Sequence, residues 1–293
     1  MADPLDALRG YVHFLHEQEG VREVHLTQAA RQGLASLAAK KTAGARPQSN
    51  PNPAPMPQAA PVRRAPVTPP QQPSPVINEA PIEISGSSKA EQLQHLAERA
   101  AVCVKCPHLV ARRHNVVFGV GNPEAKLMFV GEGPGEEEDL KGEPFVGRAG
   151  QLLTKMIIAM GLTREQVYIG NVVKCRPDMP PGVPGNRKPT KQEMETCVPY
   201  LRAQIEVIKP SVLVALGATA VEGLLGSLGT IGSLRGKFIE YRGVPVMPTY
   251  HPSYLLRNQS NTEKRKVWED LLKVMDRLEM PVTDKQRGFF LAK

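Results

Sequence analysis

The sequence predicts an α/β domain: a three-layer sandwich with a central parallel sheet of about four strands flanked by helices. Three observations predict it. Four short apolar, β-branched runs stand far apart, at Lys126–Val130, Val167–Asn171, Val212–Leu216 and Val244–Met247. Helical patterns fill or follow the gaps, over Ala149–Met160, Lys191–Val207, Ala218–Leu225 and Thr262–Leu278. Strands alternating with helices form parallel sheets covered on both faces. The third observation is the length of the gaps, which suits helical crossovers, and their right-handed rule leaves few topologies.

The chain has 293 residues, enough for one large domain with appendages. Leu5, Leu8, Val12 and Leu15 fall at helical spacing, so residues 1–41 read as a short N-terminal helical segment. From Pro47 to Pro81 there are twelve prolines and no aromatic residue. Such a stretch has nothing to bury, and residues 42–88 are expected to form a disordered linker. A polar helix (AEQLQHLAERAAVCVKC) opens the main domain, expected over 89–280, and 281–293 form a C-terminal tail. There is no internal repeat.

No apolar run is long enough to span a bilayer, so no membrane partner is expected. The opening MADPLDALRGYVHF carries two acids in its first six residues and no long apolar core, unlike a secretory leader. A cytoplasmic monomer is the expectation. The net charge is +8, and residues 1–89 hold nine Lys/Arg against seven Asp/Glu, which leaves about +6 on the rest. That excess favours a polyanionic partner without demanding one, a solvated basic surface being the bland reading.

Ligands of open parallel sheets bind outside the carboxyl ends of the strands. The first strand is followed by GEGPGEEEDLKGEPFVGRAG (131–150), the second ends in Asn171 and runs into VVKCRP, and the fourth leads to TYHPSYLLR (249–257). Three polar or glycine-rich segments thus converge on one sheet edge. The first of them matches no phosphate-binding glycine loop, and the acids Glu136–Asp139 would repel phosphate. Taken alone, the glycine pattern around Glu132 reads first as an ordinary strand-to-helix turn; a site using it would activate water or read a neutral polar ligand. Phe145, one of seven phenylalanines, sits on a stiff turn between Pro144 and Gly147: a core residue, or a platform for a planar ring. A lone histidine is more often structural than catalytic, but His251 precedes a proline at the same edge as Glu132 and Asn171, which raises the odds of a catalytic role considerably.

Four cysteines, Cys103, Cys106, Cys175 and Cys197, do not read as disulfides in a cytosolic chain. One C-x-x-C and two distant singletons suggest a metal or cluster site closed by folding. A zinc ribbon would want a second C-x-x-C, whereas thiolates from distant segments can cap a [4Fe–4S] cube. Spacing leaves both open. Proline within two residues of three of the cysteines leans toward the cluster.

Together these pieces resemble the family 4, iron–sulfur uracil-DNA glycosylases. The matching segments are GEGPGEEEDLKGEPFVGRAGQLL, NVVKCRP, GNRKPT, LGATA and TYHPSYLLR, with the four cysteines in order, over about residues 90–280. The resemblance implies an enzyme that flips uracil out of single- or double-stranded DNA and hydrolyses its N-glycosidic bond, leaving an abasic site. By the same resemblance, Glu132 positions or activates water, and Gly133 offers backbone to the base. Phe145 stacks on it, Asn171 reads its amide edge, Glu138 lies beside C5, and His251 faces O2. Cys103, Cys106, Cys175 and Cys197 would bind a [4Fe–4S] cluster. Tyr254, Leu255 and Leu256 occupy the place of the duplex-wedging loop, and Arg148, Arg187, Ser253 and Arg257 would contact DNA. One departure is the longer link RPDMPPGVP after Cys175. A branch that bonds covalently to DNA through a loop histidine is disfavoured, since residues 176–196 hold no histidine. The branch lacking the motif carboxylate is disfavoured by Glu132.

The chemistry accounts for these residue types. A stacked base must leave the duplex to be reached. Breaking the glycosidic bond puts negative charge on uracil O2, which a positioned donor such as His251 stabilises. A catalytically silent DNA-binding iron–sulfur or zinc protein on the same scaffold is the alternative, and the joint presence of Glu132, Phe145, Asn171 and His251 speaks against it.

Overall fold

The computed structural model describes residues 82–177, 179 and 185–291. The expected N-terminal helix, most of the linker and much of the longer link lie outside these residues.

All four apolar runs are strands. Leu127–Gly131 (β2), Tyr168–Asn171 (β3), Val212–Leu216 (β4) and Val244–Thr249 (β6) pair in parallel as β3-β2-β4-β6. Val120–Gly121 (β1) and Ile239–Tyr241 (β5) add antiparallel edges, giving the order β1-β3-β2-β4-β6-β5. The sheet therefore has six strands, four of them the expected parallel core. The two edge strands escape the sequence because two or three residues are too few to display a period of two. β5 turns into β6 through Arg242 and Gly243, both at positive φ (50° and 84°), the geometry of a tight hairpin.

Among the described residues the helices are α1 (Lys89–Ala101), α2 (Pro107–Val110), α3 (Glu136–Lys141), α4 (Arg148–Ala159), α5 (Lys191–Ile208), α6 (Ala218–Leu225), α7 (Ile231–Leu234), α8 (Pro252–Arg257), α9 (Asn261–Arg277) and α10 (Asp284–Arg287). Side-chain caps set the long ones in place. Ser88 accepts from Glu91 N–H, Ser260 accepts from Glu263 N–H, and Thr190 and Glu193 cap each other reciprocally.

Alternate residues of β2 enter two cores. Met128 and Val130 pack with Leu96, Leu201 and Ile208, whereas Leu127 and Phe129 pack with Leu153, Ile157, Trp268 and Leu271. A strand buried on both faces reads as a continuous apolar run for this reason. Residues 281–291 are mostly exposed, but Val282 and Phe289 are half-buried against the second core. The Trp268 indole N–H donates to Gln286 O at 2.6 Å, and the Phe289 ring lies 5.2 Å from that of Trp268. The expected tail thus touches the domain through the only tryptophan of the chain. Among the described residues no helix is long and apolar enough to cross a membrane.

Candidate active site

The parallel strands all end at one edge, and the predicted groups gather there. Asn171 closes β3 with a side chain only 1% exposed, and its Oδ1 has no hydrogen-bond partner within the protein. A buried acceptor left unpaired costs on the order of 1–3 kcal/mol, so this oxygen is set up to receive an incoming donor. Phe145 stands next to it. A Cβ placed on Gly131 would lie 2.4 Å from Asn171 Oδ1 and 2.5 Å from Phe145 Cζ. Glycine at the end of β2 therefore clears the space that the amide and the ring share.

Phe145 adopts φ 55°, in the left-handed region that disfavours side chains. Three residues, Glu138, Arg164 and Gly150, hold it there. Glu138 Oε1 accepts from Val146 N–H (2.9 Å) and Gly147 N–H (2.8 Å), while Oε2 accepts from Gly135 N–H (3.1 Å). Arg164 donates to Pro144 O and Phe145 O at 2.8 and 3.1 Å. Gly150 lets α4 press on this turn, since a Cβ there would sit 1.9 Å from the Phe145 carbonyl. Glu138, expected beside the base, spends both oxygens on the backbone that shapes the turn.

Glu132 follows β2. Burial pushes its carboxyl above the usual range, a hydrogen bond from Thr219 and the nearby Lys188 cation oppose that rise, and Glu222 adds to it. Gly133 backs onto Val173 and Pro177. Thr219 lies in the first turn of α6, just past β4, and is buried. Sequence reasoning gave it no role. The available signal was its place beyond the one strand end that GATA, a plain stretch, left looking empty.

His251 caps α8. Its Nδ1 accepts from Ser253 N–H at 3.1 Å and from the Ser253 hydroxyl at 2.8 Å. Burial, helped by the Arg257 cation, lowers the imidazole to about 4. The ring is therefore neutral near pH 7, with its proton on Nε2. Its centroid lies 5.6 Å from that of Phe145. One edge of the sheet thus carries a carboxyl, an unpaired amide oxygen, an aromatic ring and a neutral imidazole donor.

The four cysteines, from α1's end, α2's start, the loop after β3 and α5, line a single pocket with Arg113, Val173 and Tyr200. Burial raises the Cys197 thiol to about 12 and those of Cys175 and Cys106 above their usual value. Arg113 donates to Cys175 Sγ and the Lys174 amide to Cys197 Sγ, each at 3.2 Å. Four convergent sulfurs with donors aimed at two of them fit a thiolate-bound group. Among the described residues no set of three or more His, Cys, Asp or Glu is arranged around a single metal ion. Between this pocket and the strand end lies Lys174, fully buried. Its Nζ donates to Asn171 O at 2.8 Å and to Gln204 Oε1 at 2.5 Å. Burial lowers its ammonium to about 8, with Cys197 opposing.

Several residues expected on DNA are engaged within the protein. Arg187 forms a two-pronged pair with Glu193, at 2.8 and 2.6 Å. Burial raises that carboxyl, but Arg187, His108 and the Thr190 amide outweigh it and hold it at about 2. Leu255 is buried in the second core, where it anchors α8. Ser253 serves His251. Tyr254 donates to Glu263 at 3.1 Å and packs on Tyr250 at 4.6 Å between centroids. Arg148 and Arg257 are exposed and Leu256 partly so, which leaves these three open to a partner.

The family pattern described as the uracil DNA glycosylase superfamily matches residues 118–272. A protein of Thermotoga maritima named type-4 uracil-DNA glycosylase is 50% identical over 188 residues, 64% of this chain and 94% of its own. Namesakes from Archaeoglobus fulgidus and Saccharolobus solfataricus are 42% and 41% identical, over 61% and 66% of this chain and 93% and 90% of theirs.

Proposed function

The chain belongs to the uracil DNA glycosylase superfamily, among relatives of the type-4 class, and from that premise we propose how its own residues act. It is a uracil-DNA glycosylase of DNA repair, hydrolysing the bond between uracil and deoxyribose. The observation that carries the residue assignments is the unpaired Asn171 Oδ1, buried beside an aromatic ring at the sheet edge.

The extruded uracil stacks on Phe145. Asn171 accepts from N3–H and donates to O4, and Gly133 lines the base with backbone. Cytosine offers an acceptor and an amine in those places, so the amide would be left mispaired at both ends. Ionised Glu132 holds the attacking water and favours the cationic sugar. As the C1′–N1 bond breaks, its electron pair leaves with uracil, water oxygen bonds to C1′, and the water proton is released. His251 Nε2–H donates to the developing O2 anion. A neutral donor suits this step because it does not compete with the sugar for negative charge elsewhere in the site. Glu138 and Arg164 hold the Phe145 turn. Arg148, Tyr254, Leu256 and Arg257 face the DNA, with Arg187, Ser253 and Leu255 acting through the groups they hold.

Cys103, Cys106, Cys175 and Cys197 would hold a [4Fe–4S] cluster, which supplies a covalent brace between α1, the loop after β3 and α5. We assign catalysis to residues 89–280, acting as a cytoplasmic monomer on single- or double-stranded DNA. The test is incubation with a uracil-containing oligonucleotide followed by alkali. Strand scission at uracil and not at cytosine or thymine is the expected result; an intact strand under single-turnover conditions would favour a binding protein on this scaffold.

A further inference from the structure

The opposite end of the sheet carries a groove of about 310 Å³, lined by Arg202, Glu206, Lys209, Tyr241, Arg242 and Val244, with Ile205 and Pro210. Lys209 and Pro210 precede β4, and Val244 begins β6. β4 and β6 run five and six residues from here to the His251 edge, roughly 17–20 Å at the usual strand rise. Nothing in the excision chemistry uses this place.

Two buried donors point to what it takes. Arg202 Nε and the Tyr241 hydroxyl are both sealed from solvent without a hydrogen-bond partner, and Tyr241 is only 8% exposed. An Arg Nε–H can only donate, and a hydroxyl donates to any acceptor stronger than itself. Burying both unpaired is costly unless an acceptor arrives. The surrounding charge has the matching sign, with Arg202, Lys209 and Arg242 against Glu206 alone. The Arg242 guanidinium stands 5.9 Å from the Tyr241 ring centroid, so that cation is held close to the hydroxyl's side chain. Lys209 caps α5 at φ 52° and Arg242 opens the hairpin turn at φ 50°, positions where glycine or asparagine is the relaxed choice. The carbonyl end of α5 would oppose an anion, but Lys89 Nζ already takes Ile208 O at 2.9 Å.

From this geometry we infer a second binding site for a phosphate group, with Arg202 Nε and Tyr241 OH as its buried donors and Lys209 and Arg242 as its outer charges. The volume suits a ligand of mononucleotide size, and Ile205, Pro210 and Val244 give it an apolar wall. A free nucleotide and a backbone phosphate of a nucleic-acid strand offer the same chemistry. Because the groove is remote from the cleavage edge, a strand held there would be a second segment, not the one being cleaved.

The test is calorimetric titration of the full-length protein with inorganic phosphate, thymidine monophosphate and a uracil-free single-stranded octamer. A hexaglutamate peptide serves as the polyanion control. The variants are Tyr241→Phe, Arg202→Met and Arg242→Gln, each checked by circular dichroism and by uracil excision, which should stay at the parent level. We expect saturable phosphate binding that Tyr241→Phe and Arg202→Met each weaken about five-fold or more, on the scale of one lost hydrogen bond. The exposed Arg242→Gln, which leaves the core untouched, should weaken it as well. Tighter binding of the monophosphate would assign the site to a nucleotide, and tighter binding of the octamer sensitive to the same variants would assign it to a strand. Phosphate affinity unchanged in Tyr241→Phe and Arg242→Gln, or hexaglutamate bound more tightly than every phosphate ligand, would overturn the inference.

Discussion

The Ser253 backbone N–H points at Nδ1 of His251 from 3.1 Å, and an amide hydrogen can only donate. Nδ1 must therefore keep its lone pair, which fixes the remaining imidazole proton on Nε2, the nitrogen that meets the departing base in the proposed mechanism. Protonating the ring would set two hydrogens against each other, and burial already disfavours the cation.

The first prediction follows from that pair. His251→Ala should lower single-turnover excision by roughly 10²–10³-fold while DNA affinity changes little, as for removal of one oxyanion donor. The folded value of about 4 lies below the ordinary 6.5, so between these pH values the unfolded chain binds a proton that the folded one refuses. Stability thus rises with pH across that window, and is lost as pH falls through it. Nitrogen-detected NMR should find Nδ1 unprotonated down to pH 5. An imidazolium at pH 6 would remove His251 from the neutral-donor role.

The second concerns Glu132. The Thr219 hydroxyl stabilises its ionised form, so Thr219→Val should raise the carboxyl and move the acid limb of the single-turnover rate to higher pH. A hydrogen bond to a charged group is worth about 1.5–3 kcal/mol, which corresponds to roughly one to two pH units. Thr219→Ser should restore the parent profile. A general loss of rate with an unmoved limb would mean that Thr219 only packs.

The third separates two glycines. Gly150→Ala drives a methyl into the Phe145 carbonyl at 1.9 Å, against backbone that cannot swing away, and should destabilise the fold by about 2–3 kcal/mol in urea denaturation. Gly131→Ala intrudes on side-chain ends, 2.4 Å from Asn171 Oδ1. It should fold, and lose uracil excision at least 10²-fold. Normal excision by Gly131→Ala would show that the base does not use this space.

The fourth concerns the cysteines. Protein purified without oxygen should be brown, with about four irons per chain. Replacing any of the four by alanine should reduce soluble yield more than it reduces specific activity in the folded remainder. A colourless protein with one zinc per chain would point instead to a mononuclear centre.

Much of this molecule can be read without coordinates, and for a definite reason. The strands β2, β3, β4 and β6 are buried on both faces, so unbroken apolar runs announce them, and their parallel pairing sends Glu132, Asn171 and His251 to one edge. What stays illegible depends on contacts between distant residues. Nothing local reveals that Arg187 answers Glu193, that Leu255 turns inward, or that Glu138 caps a backbone turn. Thr219 and Lys174 are missed for the same reason, the first within a bland GATA, the second hidden beside a cysteine that draws attention to itself.

The empty acceptor of Asn171 has one more consequence. In the proposed mechanism it is satisfied by a base edge, and that edge is the same before and after the glycosidic bond is cut. Free uracil therefore finds the ring, the amide and the imidazole as well matched to it as the flipped nucleotide did. Turnover then depends on how soon the product departs, and accumulated uracil should slow the enzyme by competing for the seat it has just left.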